Sequence, residues 1–215
     1  MGLHPAGPLS RIRPQRAGSG KMHATAVTME SSMNKRVICA MVALMALGAT
    51  TTARAALDVG EKAPDFTAPA ALDGKEFKFQ LSESLAKGPV VLYFFPAAFT
   101  AGCSAEAHEF AEAIDKFGAL GATVIGVSTD DIATQVKFST QACQGKFPVA
   151  SDAGKTVIKS YDAAMMIMPD YANRVSYVIA PDKSILYNYQ SLNPAKHVTN
   201  TLAALRDWEK VKGKK

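Results

Sequence analysis

The chain has 215 residues, 48% of them hydrophobic and 20% charged, a globular rather than disordered composition that fits one ordinary domain. Its formal charge of +5 is unevenly placed: residues 1–55 hold seven bases (Arg11, Arg13, Arg16, Lys21, Lys35, Arg36, Arg54) and one acid, Glu30. Taking these from the 24 bases and 19 acids of the whole leaves 17 and 18 in residues 56–215, so that part is close to neutral and nucleic-acid binding is excluded as the reason for the charge.

Residues 1–32 are rich in Arg, Gly, Pro and Ser without periodicity and read as a non-native or unstructured prefix, with translation expected to begin at Met33. Residues 33–55 have the organisation of a secretory signal peptide. Lys35-Arg36 is basic, Val37 to Gly48 is apolar and too short to span a bilayer comfortably, and Ala53-Arg54-Ala55 is a cleavage site. This predicts export, with the bacterial periplasm as the compartment, a mature start at Ala56 and no membrane association after processing. Cys39 is lost with the leader, which leaves Cys103 and Cys143 in residues 56–215. In an oxidising compartment two cysteines are able to pair.

Phe66–Ala71 and Glu76–Phe79 flank Asp73-Gly74 and read as a hairpin. Val90–Phe95 is a continuous apolar run ending at Pro96, as in a strand buried on both faces. Ala107, Phe110, Ala111, Ile114 and Phe117 then recur at helical spacing. Thr123–Ser128 is a second buried strand. Asp130–Ala142 is a helix with Ile132, Val136 and Cys143 on its inner face, and Lys155–Tyr161 is a shorter helix. Val175–Ile179 and Ser184–Tyr189 form a hairpin around Pro181-Asp182-Lys183. Pro194–Val211 is a closing helix with Val198, Leu202 and Leu205 inward. This order predicts an α/β domain over 56–215: a thioredoxin-like fold with a central mixed sheet flanked by helices and an N-terminal hairpin extension.

The segment from Phe95 to Cys103 joins a buried strand to a helix, and chemistry in open α/β sheets gathers at such strand ends. Thr100 is a suitable N-cap, which puts Cys103 at the third helical position. There, free N–H groups and the positive helix end favour thiolate, the nucleophilic form. Gly102 allows close approach.

Pro96-x-x-x-Thr100-x-x-Cys103 resembles the active-site motif of the peroxiredoxins. The resemblance extends over Val59–Phe66, Val124–Ser128 and Asn173–Ile179. The Gly before the cysteine, with no cysteine near the C-terminus, is similar to the bacterioferritin-comigratory (Q-type) group. It implies a thiol-dependent peroxidase acting on hydrogen peroxide and organic hydroperoxides. Cys103 would be the peroxidatic nucleophile passing through a sulfenic acid. Thr100 would orient thiolate and peroxide, Arg174 would stabilise charge, Pro96 would shield the sulfur, and Glu106 would hold the arginine. The implied partners are a peroxide and a thioredoxin-like or small-thiol reductant, with the protein a monomer or weak homodimer and no cofactor or metal.

The chain departs from the family pattern at Ala97, Ala98 and Ala101. It also has His108 where many members carry a second cysteine, so resolution by that route is excluded. Some members carry a resolving cysteine on the next helix, where Cys143 lies. The alternative is an ordinary core cysteine, because a disulfide needs Cα atoms within about 7 Å, a distance no sequence supplies.

Other features take plainer readings. Gly154-Lys155-Thr156 lacks the first glycine of a phosphate loop, since Val149 stands there. Met165, Met166 and Met168 are expected in the core, with a substrate or partner surface as the alternative. His108, His197 and the Lys210–Lys215 tail are expected at the surface. The competing functions are a thiol–disulfide exchange protein, which would want C-x-x-C where Glu106 stands fourth, and a non-catalytic thioredoxin-fold module.

Overall fold

The computed structural model describes residues 56–213; the prefix, the signal segment and the last two lysines lie outside the described residues. Seven strands form one sheet: β1 (Thr67–Leu72), β2 (Lys75–Gln80), β3 (Val90–Phe94), β4 (Thr123–Ser128), β5 (Val149–Ser151), β6 (Val175–Ile179) and β7 (Ile185–Gln190), in the order β2-β1-β5-β4-β3-β6-β7. The helices are α1 (Leu81–Leu85), α2 (Ala101–Gly118), α3 (Ile132–Gln141), α4 (Thr156–Ser160) and α5 (His197–Lys212). β3, β4 and β5 run parallel, while β6, β7 and the β1–β2 hairpin are antiparallel, giving the expected mixed sheet. The hairpin turns at Asp73 and Gly74, both with positive φ, as a two-residue Asp-Gly turn requires.

The hairpin extension is held as an edge of the same sheet, through Ala70↔Ala150 and Ala71↔Val149. Its partner, the three-residue β5, is too short to show a period in the sequence.

Alternation along β3 divides two cores. Val90, Leu92 and Phe94 point into one with Leu81, Leu85, Tyr161 and Tyr177. Val91, Tyr93 and Phe95 point into the other with α2, α3 and α5. The inward trio Val198, Leu202 and Leu205 holds α5 on this second face, each worth about 1.5–3 kcal/mol when fully buried.

Three expectations are corrected. The inner face of α3 is Gln135, Phe138 and Ser139, with Ile132 and Val136 only half-buried. A hydrogen bond satisfies Gln135, whose Nε2 donates to Ser128 Oγ at 2.6 Å, so a polar side chain replaces the expected apolar pair inside. Met166 and Met168 are exposed and Met165 is half-buried. They lie in a turn-rich excursion closed by the Ala164↔Ala172 bridge, which points its tip away from both cores. His197 is fully buried: Lys196 takes φ 78°, so α5 begins at His197, three residues later than expected, with that ring turned inward.

Candidate active site

β3 ends against the sheet's carboxyl edge, and residues 95–100 turn the chain into α2. Phe95 N–H donates to the Val127 carbonyl at 3.1 Å and Ala98 N–H to the Asp130 carboxylate at 2.7 Å. Asp130 is itself held by the Ser128 hydroxyl at 2.6 Å. Phe99 sits at φ 63°, an uncommon conformation for a bulky residue, with its ring edge-on against Phe138 at 5.3 Å. The turn is thus over-determined from both sides before the helix begins.

Thr100 is the N-cap, with φ −68° and ψ 148°, and Cys103 is the third helical residue. Ser104 N–H donates to the Thr100 carbonyl at 2.9 Å. The Thr100 hydroxyl donates to the Ala97 carbonyl at 3.1 Å instead of capping the helix, which leaves its lone pairs to accept another donor. Pro96 is half-buried beside it.

Cys103 and Glu106 are one helical turn apart and share the buried face of α2. Arg174 reaches them from the residue before β6. Its Nη2 lies 3.3 Å from Cys103 Sγ, its Nη1 donates to Glu106 Oε2, and its Nε donates to the Leu192 carbonyl at 3.0 Å. The planar fork is therefore fixed on three sides. Burial pulls the Arg174 pKa down, but Glu106 and the Cys103 sulfur outweigh it and hold it above its ordinary value. Burial pushes the Glu106 carboxyl upward, while the charge and hydrogen bond of Arg174 hold it down. A Cβ on Gly102 would stand 3.3 Å from Arg174 Nη2, so what approaches this glycine closely is the guanidinium.

The structure thus brings Cys103, Gly102, Glu106 and Arg174 together, with Thr100 and Pro96 on the turn above. Cys143 is free, fully buried and in the same apolar cluster as Cys103. Burial drives its thiol pKa far upward. His108 is exposed, as expected, and is held by Gln144 and Glu112. Sequence reasoning missed Asp130, Ser176 and His197. For His197 a signal existed: with Thr201 and Leu205 it makes an i, i+4, i+8 row on the inner face of α5. Chemically the site offers one sulfur facing a fixed cation, which suits attack on a small electrophile whose leaving group becomes negative.

The family model described as AhpC/TSA matches residues 59–188. Peroxiredoxin Q, chloroplastic, of Oryza sativa subsp. japonica is 35% identical over 180 residues, covering 75% of this chain and 80% of the rice protein. The Populus jackii peroxiredoxin Q is 34% identical over 157 residues, covering 71% and 70%. Among solved structures, the peroxidoxin BcpB of Mycobacterium tuberculosis superposes with a TM-score of 0.64 at 31% identity, covering 70% of this chain and 97% of that one. The reduced 2-Cys peroxiredoxin of Plasmodium vivax shares the fold, with a TM-score of 0.65 at 21% identity and coverage of 72% and 98%. On the extent of the family match and these relatives, the chain belongs to the AhpC/TSA family and, within it, to the Q-type peroxiredoxins of thioredoxin-like fold.

Proposed function

We propose that Cys103 is the peroxidatic nucleophile of this thiol-dependent peroxidase. The sulfur attacks the terminal oxygen of a hydroperoxide. The S–O bond forms as the O–O bond breaks, sulfur is oxidised to sulfenic acid, and the departing alkoxide or hydroxide takes up a proton to leave as alcohol or water. Two reducing equivalents from a thioredoxin-like or small thiol then return the sulfenic acid to thiol with loss of water. The observation that carries this reading is the Arg174 guanidinium 3.3 Å from Cys103 Sγ and locked by Glu106: it faces both the attacking sulfur and the oxygen on which charge develops. In this reading the Thr100 oxygen, whose hydrogen goes to the Ala97 carbonyl, accepts the peroxide O–H, and the ring of Pro96 covers the turn without adding a competing N–H.

The test is consumption of hydrogen peroxide and of a small organic hydroperoxide by the wild-type chain and by Cys103→Ser. The wild type consumes peroxide with thiol present and the variant does not; equal rates would overturn the assignment.

For resolution, the reading is an intramolecular Cys103–Cys143 disulfide. Both cysteines face one cluster, and Cys143 lies two residues past the end of α3, before the positive-φ pair Gln144 and Gly145, where the last helical turn is able to open. Peptide mapping after one equivalent of peroxide shows the cross-link; its absence, with sulfenic acid retained on Cys103, leaves a one-cysteine enzyme recycled by external thiol. The finer reading from the leader is export with cleavage before Ala56, checked by the intact mass of the secreted chain.

A further inference from the structure

We propose that His197 is a positioning residue for the peroxidase reaction, holding the Arg174–Glu106 pair in line with Cys103 from behind. This rests on the assignment of Cys103 as nucleophile. His197 opens α5 and is fully buried, and both ring nitrogens are engaged. Nε2 lies 3.0 Å from the Ser191 carbonyl. A carbonyl oxygen only accepts, so Nε2 carries the hydrogen. Nδ1 then bears the lone pair and accepts from the Ser176 hydroxyl at 2.8 Å.

The same Nδ1 faces Glu106 Oε1 at 3.5 Å. That is the carboxylate oxygen without a hydrogen-bond partner among the described residues, so the ring closes the side of Glu106 opposite Arg174.

Support reaches Arg174 by a second route. Ser191, pinned by the imidazole, precedes Leu192, whose carbonyl accepts from Arg174 Nε. Ser191 N–H also donates to the Arg174 carbonyl at 3.2 Å. One imidazole therefore bears on both anchors of the guanidinium other than the sulfur, by a hydrogen bond at Ser191 and by packing alone at Glu106. The groups facing it are Glu106 from α2, Arg174 and Ser176 from the β6 strand and its entry, and the Tyr189 ring of β7, edge-on at 4.7 Å. Burial holds the imidazole neutral, with its pKa pushed down to about 4, so it supports the pair through its hydrogen bonds to Ser191 and Ser176 and by its shape against Glu106, not by charge.

The experiment compares two single-turnover reactions of Cys103 in the full chain: sulfenic acid formation by hydrogen peroxide, and alkylation by iodoacetamide. Alkylation expels iodide, which needs no hydrogen bond, so only the peroxide reaction draws on Arg174 at the departing oxygen. His197→Leu should lower the ratio of peroxide to alkylation rate by about tenfold or more, part of the loss of about 100-fold or more that follows outright removal of one stabilising donor. His197→Gln, which keeps a donor able to reach the Ser191 carbonyl, should recover most of that ratio. A folded His197→Leu with a ratio within about twofold of wild type would overturn the proposal, since at this level no transition-state interaction has been lost. Should His197→Leu fail to fold, His197→Asn decides in its place. It keeps an acceptor for Ser176 but loses reach to Ser191, and an unchanged ratio overturns the proposal while a fall of about fivefold or more supports it. Peroxide consumption persisting in Cys103→Ser would instead defeat the underlying assignment, so the two failures are distinct.

Discussion

Arg174 is the side chain around which the others are arranged, and the space it occupies is set by a missing atom. Gly102 lies beneath the guanidinium, and the place of its absent Cβ is 3.3 Å from Nη2, closer than ordinary van der Waals contact. Gly102→Ala should leave the fold intact, because its backbone is helical, and should lower the second-order rate with peroxide by about tenfold through displacement of the fork. Stopped-flow rates beside thermal melts check this; an unchanged rate would mean the guanidinium tolerates the shift. Arg174→Lys tests the same fork from the other partner. A lysine ammonium is a point charge that cannot hold Cys103, Glu106 and the Leu192 carbonyl in one plane, so the rate should again fall by about tenfold or more while melting changes little. These residues differ in how far the sequence shows them. Cys103, Thr100 and Pro96 fall in one local pattern between a strand and a helix. Arg174 lies 71 positions from Cys103 and is reached only through resemblance to a family. His197 reads as surface because a polar residue after Pro194 and Lys196 shows at most its place in the row with Thr201 and Leu205, and nothing of the one acceptor, Ser191, and one donor, Ser176, that meet it in the core.

At the scale of elements, helix ends set what moves. α5 starts with a buried neutral histidine, and this couples the helix to acidity. An unfolded chain takes up the His197 proton near 6.5, the folded one near 4. Between those values the unfolded state holds more protons, so stability is fully present above about 6.5 and is lost as the pH falls toward 4, with about 3 kcal/mol at stake. His197→Gln has no such titration, and its melting temperature should change less than that of wild type between pH 7 and pH 4.5. Parallel curves would place the acid sensitivity elsewhere. α3 ends at Gln141 and leads through Cys143 into a turn that needs Gly145: its φ is +67°, and a Cβ there would stand 2.6 Å from the Asp73 carboxylate. Gly145→Ala should strain that turn and expose the thiol, so Cys143 should label faster with a thiol reagent in native buffer than in the wild type. The long elements were legible because their apolar period survives: β3, β4, β6 and α2 form where the pattern puts them. β5 was not, because three residues are too few for a period and are fixed by pairing that forms only in the folded sheet, and α1 was not, because Leu81 and Leu85 are its only buried residues.

Across the described residues, the sheet works as a wall between two cores, and the turn that carries Cys103 hangs from β3. β3 feeds alternate side chains to either side, so any change in one of them is felt at the turn that follows. Tyr93 shows the tension in this arrangement. It stacks on Phe110 at 4.5 Å, it is fully buried, and its hydroxyl has no hydrogen-bond partner among the described residues. On the adjacent strand Gly126 lies against that ring, with the place of a Cβ 2.7 Å from both Cζ and Oη. A buried hydroxyl without a partner forfeits about 1–3 kcal/mol of desolvation, so Tyr93→Phe should be neutral or stabilising, against the usual direction for a core change. Gly126→Ala should destabilise the wild type by about 1–3 kcal/mol through overpacking. The contact that causes this includes the hydroxyl oxygen, so Gly126→Ala should cost less in the Tyr93→Phe background. A double-mutant cycle from urea unfolding measures that coupling. A strongly destabilised Tyr93→Phe would show that the hydroxyl is satisfied, and additive effects would show that the ring, not its oxygen, fills the space over Gly126.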